Sequence, residues 1–152
     1  MFDSRDVAAY IAQQCIQYGY GYNNTKIQKL IYCAYGAVLA VTGKRLCDES
    51  PRAWQYGPVF PRVFRAISKG TDLAQYSYLV RNTADEKILK LIDKAVFIFG
   101  KHNASTLSAW SHKEGSPWDS VVHHGEGLNE VIPDHLIATY FKNQVMEPSD
   151  YA

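Results

Sequence analysis

Acid–base, metal or nucleophilic chemistry in this 152-residue chain would have to come from its five histidines, three cysteines and 15 acidic residues. The densest set is His123-His124, followed closely by Glu126, and such a run could ligate a metal or move a proton. It lies in the polar, Gly-containing stretch HHGEGLNE with no second ligand pair at helical spacing, so an exposed loop is expected there and no metal. His112 stands between Trp110 and Trp118, which suits a histidine fixing the junction of two short helices better than a general base. Cys15, Cys33 and Cys47 are odd in number and widely spaced, without a CxxC pair, and read as reduced, buried thiols. There is no carboxylate pair, Ser-His-Asp set, P-loop or GxGxxG. No catalytic residue and no cofactor is assigned, and an enzyme here would need a cryptic site that only the fold assembles, near His112.

Recognition is the remaining kind of chemistry, and the stretch AWQYGPVFPRVF, residues 53–64, is the place to look for it. Gly57 lets the chain reverse without a Cβ clash, Pro58 restricts the residue before it to extended geometry, and Pro61 is tolerated in the first helical turn, where its missing N–H has no intrahelical partner. The result is a stiff strand-to-helix corner with no Ser, Cys or Asp at its apex, so it is not a nucleophile elbow. Two uses remain open: Trp54 buried as the anchor of the corner, or an aromatic ridge for a protein partner. The second use would be carried by Trp54, Tyr56 and Val59, with Arg62 and Arg65 beside them, because rigid aromatics and arginine concentrate interface energy. Arg62, Arg65 and Lys69 also form a basic helix face that could meet phosphates or an acidic protein surface.

Net charge and composition limit the partners. The chain carries +1 overall, but residues 1–70 hold nine basic against four acidic residues and residues 71–152 hold seven against 11. Such a polarised chain can steer a charged partner, unless folding interleaves the halves. The absence of bulk basic excess and of a helix-turn-helix signature argues against nucleic acid. No run of about 18 apolar residues would span a bilayer, and MFDSRDVAAYIAQQ lacks a signal-peptide layout, so a cytoplasmic location without membrane association is expected. Eleven tyrosines supply more amphipathic contact groups than one core of this size needs.

The elements that position these residues are mostly helical. Asp3 and Asp6 open a helix with Val7, Tyr10, Ile11 and Cys15 inward, ending at GYGYNN. Thr25 and Gln28 read as a capping box for a central helix whose stripe is Ile27, Leu30, Ile31, Ala34, Val38 and Val41, with Tyr32 and Tyr35 flanking it and Gly43 as the stop. From Lys44 to Tyr56 the helical period vanishes and two short strands around DESP are predicted, with QYSYLV, residues 75–80, as a further pairing candidate. A helix from Pro61 to Lys69 turns Phe60, Val63, Phe64 and Ile67 inward. Thr83 and Glu86 form another capping box before Ile88, Leu91, Ile92, Ala95, Val96 and Phe99. Shorter helices follow: one holding Leu107 and Trp110, one capped by Ser116 with Pro117 first, and one opened by Pro133. The expected fold is a mainly α, compact helical single domain over residues 1–152 with a small β-hairpin or short sheet. Its core spans about 4–144, and the tail NQVMEPSDYA is frayed.

These residues together carry a family likeness. The run KIQKLIYCAYGAVLAVTGKRLCDESPRAWQYGPVFPRVFRAISKG, followed by LSAWSHKEGSPWDSV and IPDHLIATYF, resembles the Panacea antitoxin domain, also described as SocA-like or phage-associated GepA-like. The matching positions are Lys26 to Tyr35, Gly43 and Lys44, Ala53 and Trp54, Tyr56 through Gly57 and Pro58 to Val59, Leu107 and Ser108, His112, and Pro117 with Trp118; Trp110 lies inside the same block. The resemblance implies a mostly helical fold with a small β element and an antitoxin that neutralises a cognate protein toxin by direct contact. SocA-like members also act as adaptors that deliver a toxin to the ClpXP protease, which implies a AAA+ protease as a second partner class. Lys26, Tyr35, Gly57, Pro58, Trp110, His112, Pro117 and Trp118 recur in the motif and are expected to hold the fold.

Overall fold

The computed structural model describes residues 1–76 and 78–152. Its centre is a 19-residue helix, Asn24–Thr42 (α2 in the numbering used here), in which every residue from Lys26 to Ala40 is buried. A helix apolar on nearly all sides has to be enclosed by others. Its jacket consists of α1 (Ser4–Tyr18), α5 (Glu86–Phe99), α6 (Ala104–Ser111) and α8 (Asp134–Gln144), with α3 (Pro61–Ser68) across its N-terminal half. Two short helices, α4 (Leu79–Thr83) and α7 (Pro117–Val122), and 3-10 turns at Leu73–Gln75 and Pro148–Tyr151 complete the helical part. Strands β1 (Arg52–Trp54) and β2 (Gly57–Val59) pair antiparallel, Ala53 opposite Pro58. The fold is therefore mainly α with a two-stranded hairpin, as the sequence predicts.

The α2 flanks are as covered as its stripe: Tyr32 and Tyr35 are buried beside Ile27, Leu30 and Ile31. Gly36 is where α8 comes closest, because a Cβ there would enter the Phe141 ring. Tyr35 ties the far end together, donating to Asp134 Oδ1 at 2.5 Å and accepting from Arg45 Nε at 3.1 Å. With Arg45 also 3.6 Å from Asp134, the basic and acidic halves of the chain interleave here. Trp110 is the hub of a ring cluster, within 5.1–6.4 Å of Phe99, Phe141, Tyr32 and Tyr140. All three cysteines are buried and free.

Several local expectations are corrected. The α2 cap is Asn23, whose side chain accepts from Lys26 N, and not a Thr25–Gln28 box. Thr83 ends α4, its hydroxyl donating to Leu79 O, and α5 starts after Asp85. The hairpin turns at Gln55-Tyr56 and not at DESP, so Gly57-Pro58-Val59 is itself the second strand. The 75–80 stretch enters no sheet among the described residues: it straddles a 3-10 turn and the start of α4, and Ser77 lies outside them. Phe64, expected inside, is 38% exposed. The tail folds back as the second 3-10 turn, and Asp150 pairs with Lys94 of α5. Among the described residues no helix is long and apolar enough to cross a membrane.

Candidate partner-binding surface

The hairpin is too small to hold itself, since two isolated strands are marginal in water. It is clamped from both sides. On the β1 side, residues 129–132 add backbone bonds: Asn129 N donates to Ala53 O (2.7 Å), Ala53 N to Glu130 O (2.9 Å) and Ile132 N to Pro51 O (3.0 Å). Asn129 takes a left-handed φ of 69°, which asparagine tolerates. On the β2 side, Pro58 has no N–H to leave unpaired at the edge, and its carbonyl accepts from Lys29 Nζ at 3.0 Å. Gln28 Oε1 accepts from Phe60 N at 2.7 Å, and Ser108 Oγ donates to Tyr56 O at 2.6 Å. Gly57 holds φ at +116°, and a Cβ there would strike Ser111 Oγ and approach Lys29 Cε at 3.0 Å. Only glycine combines that backbone with that contact.

Lys29 is 1% exposed, and burial pushes its ammonium down from the ordinary 10.5 to about 8. A lysine inside an apolar helix face is costly unless it is hydrogen-bonded, and here it serves the edge strand. The sequence does not assign Gln28, Lys29, Ser108 or Ser111 to the hairpin: Gln28 reads there as a helix cap, and Lys29 and Ser108 only as positions within the family likeness. The one signal available was a Gln-Lys pair interrupting an otherwise apolar helix.

On this mount sit the side chains expected to meet a partner. Tyr56, at the tip, is 65% exposed. Trp54 is half-buried: its Nε1 donates to Asn129 Oδ1 at 3.1 Å and its ring meets Phe64 edge-on at 5.1 Å. Arg65 is exposed on the next position of α3 and has no ion-pair partner among the described residues. Two other expected contacts lie differently. Val59 is 7% exposed, and Arg62 is held by Asp48 at 2.8 Å and Asp3 at 3.2 Å. The basic face of α3 is thus narrower than the sequence implies. Asp3, hydrogen-bonded mainly to Arg5, has its carboxyl lowered to about 2.

Of the residues expected to hold the fold, Trp118 is buried and donates Nε1 to Trp54 O at 2.7 Å, tying α7 to the hairpin. Pro117 is the first residue of α7, after the Ser116 cap. His112 packs its ring 5.3 Å from Trp118, and its Nδ1 is buried without a hydrogen-bond partner among the described residues. The neighbouring Ser111 hydroxyl donates to Ser108 O at 2.8 Å, so it is engaged with the backbone and not with His112. His123 and His124 flank the end of α7 and lie 2.6 and 3.7 Å from the carboxylate of Asp119. The Gly115 N–H first, then His123, hold that carboxyl below its usual range. No group of three or more His, Cys, Asp or Glu able to hold a metal exists among the described residues.

Sequence comparison extends the geometry. The family described as "Antitoxin SocA-like, Panacea domain" matches residues 27–119, a stretch that begins on α2, includes the hairpin and the polar residues that hold its β2 side, and ends in α7, before residues 129–132. The chain is also 32% identical over 139 residues to Antitoxin SocA of Caulobacter vibrioides (strain NA1000 / CB15N), covering 84% of this chain and 73% of that protein. No solved structure matches. Helical architecture, hairpin motif and extended sequence identity agree, and the chain belongs to the SocA-like Panacea-domain family.

Proposed function

We propose that this protein is an antitoxin that binds a cognate protein toxin directly and occludes its working surface, with no catalytic step of its own. Trp54, Tyr56, Phe64 and Arg65 make the contact, while Val59 and Arg62 support it from beneath. One observation carries the reading: exposed Tyr56 and Phe64 flank Trp54 on a backbone whose edge carbonyls and amides are fixed by Lys29, Gln28 and Ser108. An aromatic ridge on a rigid mount loses little entropy on docking, and an adjacent unpaired arginine adds a charge that a complementary acidic surface can meet. The membership in an antitoxin family supports the same class of function.

The test is co-expression with the neighbouring gene product, followed by affinity measurement on the purified pair. Growth arrest by that product should be relieved and a stable complex recovered. Tyr56→Ala should weaken it by about 2 kcal/mol, roughly 30-fold, without moving the melting temperature. Unchanged affinity in Tyr56→Ala, Phe64→Ala and Arg65→Ala would refute this surface. Rescue that disappears in a host lacking its AAA+ proteases would refute occlusion.

A further inference from the structure

Away from the hairpin, a cavity of about 180 Å³ lies between α2, α5 and the segment that follows α8. Cys33 and Ala37 of α2, Leu91 and Phe99 of α5, and Val145 with Met146 supply most of its wall. Burial pushes the Cys33 thiol well above its ordinary value and keeps it neutral, so this part of the wall carries no charge. An apolar space of this size takes up about six to eight carbons, since a dry cavity of about 150 Å³ already admits benzene. The charged lining residues are Lys94, Glu147 and Asp150. Leu91, Lys94 and Asp150 also line an adjoining depression of about 220 Å³, together with Lys87 and Lys90. The apolar space therefore leads into a basic one.

A carboxylate of the protein's own tail stands where the two meet. The Asp150 side chain is 4% exposed; its Oδ1 accepts from Lys94 Nζ, and its Oδ2 accepts from Glu147 N at 2.7 Å. The Glu147 N–H belongs to the same short turn, so Lys94 is the one polar group outside the tail that holds Asp150 among the described residues. Around it, Glu147 lies 4.0 Å from Lys94, and Lys90 lies 3.3 Å from Glu86, a pair exposed on both sides. Among side chains, three lysines stand against the carboxylates of Glu86, Glu147 and Asp150. Withdrawing Asp150 leaves one positive charge uncompensated, which one external carboxylate would restore. Lys94 is 40% exposed, and an ion pair so open to water contributes little. A competing anion that also fills the apolar space gains what Asp150 does not have.

We propose that this cavity binds a small amphipathic carboxylate, its hydrocarbon part beside Cys33, Ala37 and Phe99 and its head on Lys94, and that Asp150 is the intramolecular competitor for that head. Binding displaces the Pro148–Tyr151 turn from α5, so the tail reports occupancy. None of these residues lies on the hairpin or α3, and the proposal is independent of the antitoxin reading.

The experiment is a titration of the 15N-labelled full chain with octanoate, acetate and 1-octanol near neutral pH at constant ionic strength. Octanoate should give saturable amide shifts at Cys33, Leu91, Lys94 and residues 145–152. Acetate lacks the chain and 1-octanol lacks the charge, so each should bind at least about tenfold more weakly. Lys94→Met should weaken octanoate about tenfold and leave 1-octanol unchanged, whereas Asp150→Asn should tighten octanoate severalfold, because the competitor is gone. Octanoate should also speed limited proteolysis of wild type within 143–152. Octanoate shifts that do not saturate, 1-octanol binding as tightly as octanoate, or an Asp150→Asn variant that binds octanoate no more tightly than wild type would each overturn the proposal. Cleavage left unchanged or slowed by octanoate would overturn it as well.

Discussion

Lys29 offers the sharpest test of how the hairpin is mounted. Its ammonium is 1% exposed and burial lowers it from 10.5 to about 8, so the unfolded chain holds that proton more tightly than the folded one. A lysine shifted in this direction costs stability below its folded value, and the cost disappears as pH rises toward 10.5. At about 1.4 kcal/mol per pH unit the full gap corresponds to about 3 kcal/mol, and about 2.5 kcal/mol of it falls between pH 7 and 10. Other groups work against this trend. The buried thiols of Cys15, Cys33 and Cys47 and the hydroxyls of Tyr10, Tyr32 and Tyr35 are pushed up, chiefly by burial, so their contribution to stability is lost as pH rises through their unfolded values. The total curve is therefore uninformative, but the difference between wild type and Lys29→Met isolates the lysine. Urea unfolding at several pH values should show wild type gaining about 2.5 kcal/mol on the variant between pH 7 and 10. At neutral pH the two effects of the variant oppose each other, because it removes a buried charge and also leaves Pro58 O without its donor, worth about 1–3 kcal/mol. Parallel curves for the two proteins would refute the claim that a buried, ionisable amine holds the β2 edge.

Two further substitutions probe the mount and the tail. Gly57→Ala should destabilise the protein by about 2–4 kcal/mol, since φ is +116° and the new methyl meets Ser111 Oγ and Lys29; adding Ser111→Ala should recover only the steric part, measured as urea midpoints. Burial raises the Asp150 carboxyl but the Glu147 N–H and Lys94 outweigh it, leaving it lowered, so its contribution is present above the ordinary carboxylate range and fades as pH falls through that range. Asp150→Asn should release the Pro148–Tyr151 turn from α5 and speed limited proteolysis in 143–152 with a stability loss of about 1 kcal/mol; unchanged cleavage would refute the latch.

The parts of the fold that were legible in the sequence are those fixed by local chemistry. The α2 stripe, its Gly43 stop and the Ser116-Pro117 start each depend on residues within a turn or two of one another. The misread places are those where a distant group claimed a residue that local rules had already assigned. Gln28 suits a capping box by spacing, but its amide is taken by Phe60, 32 residues away, and Asn23 does the capping. Thr83 suits the next box, yet a short α4 uses its hydroxyl. Phe64 suits the inward stripe of α3, but Trp54 from the hairpin receives it near the surface. The candidate contact residues were partly legible for the same reason: Tyr56 at a turn and Arg65 on a polar face depend on local pattern, while the neutralisation of Arg62 by Asp3 and Asp48 depends on α1 and the loop after α2 arriving together.

The distribution of buried polar groups along α2 explains why its N-terminal turns matter more than their length. Lys26, Gln28 and Lys29 are its three buried polar or charged residues, all within the first six positions, and Leu30 to Ala40 is apolar apart from the hydroxyls of Tyr32 and Tyr35 and the Cys33 thiol. A helix selected only to enclose a core would carry apolar side chains in those first turns too, because each buried polar group costs free energy until it finds a partner. Two of the three have found one, in Phe60 N and Pro58 O of the hairpin segment. Lys26, the third, rests its ammonium on the Tyr20 ring, 5.6 Å from the centroid. Since proteins break local rules chiefly at sites that do something, the first turns of α2 are where this chain gives up core stability for a fixed, outward-facing hairpin.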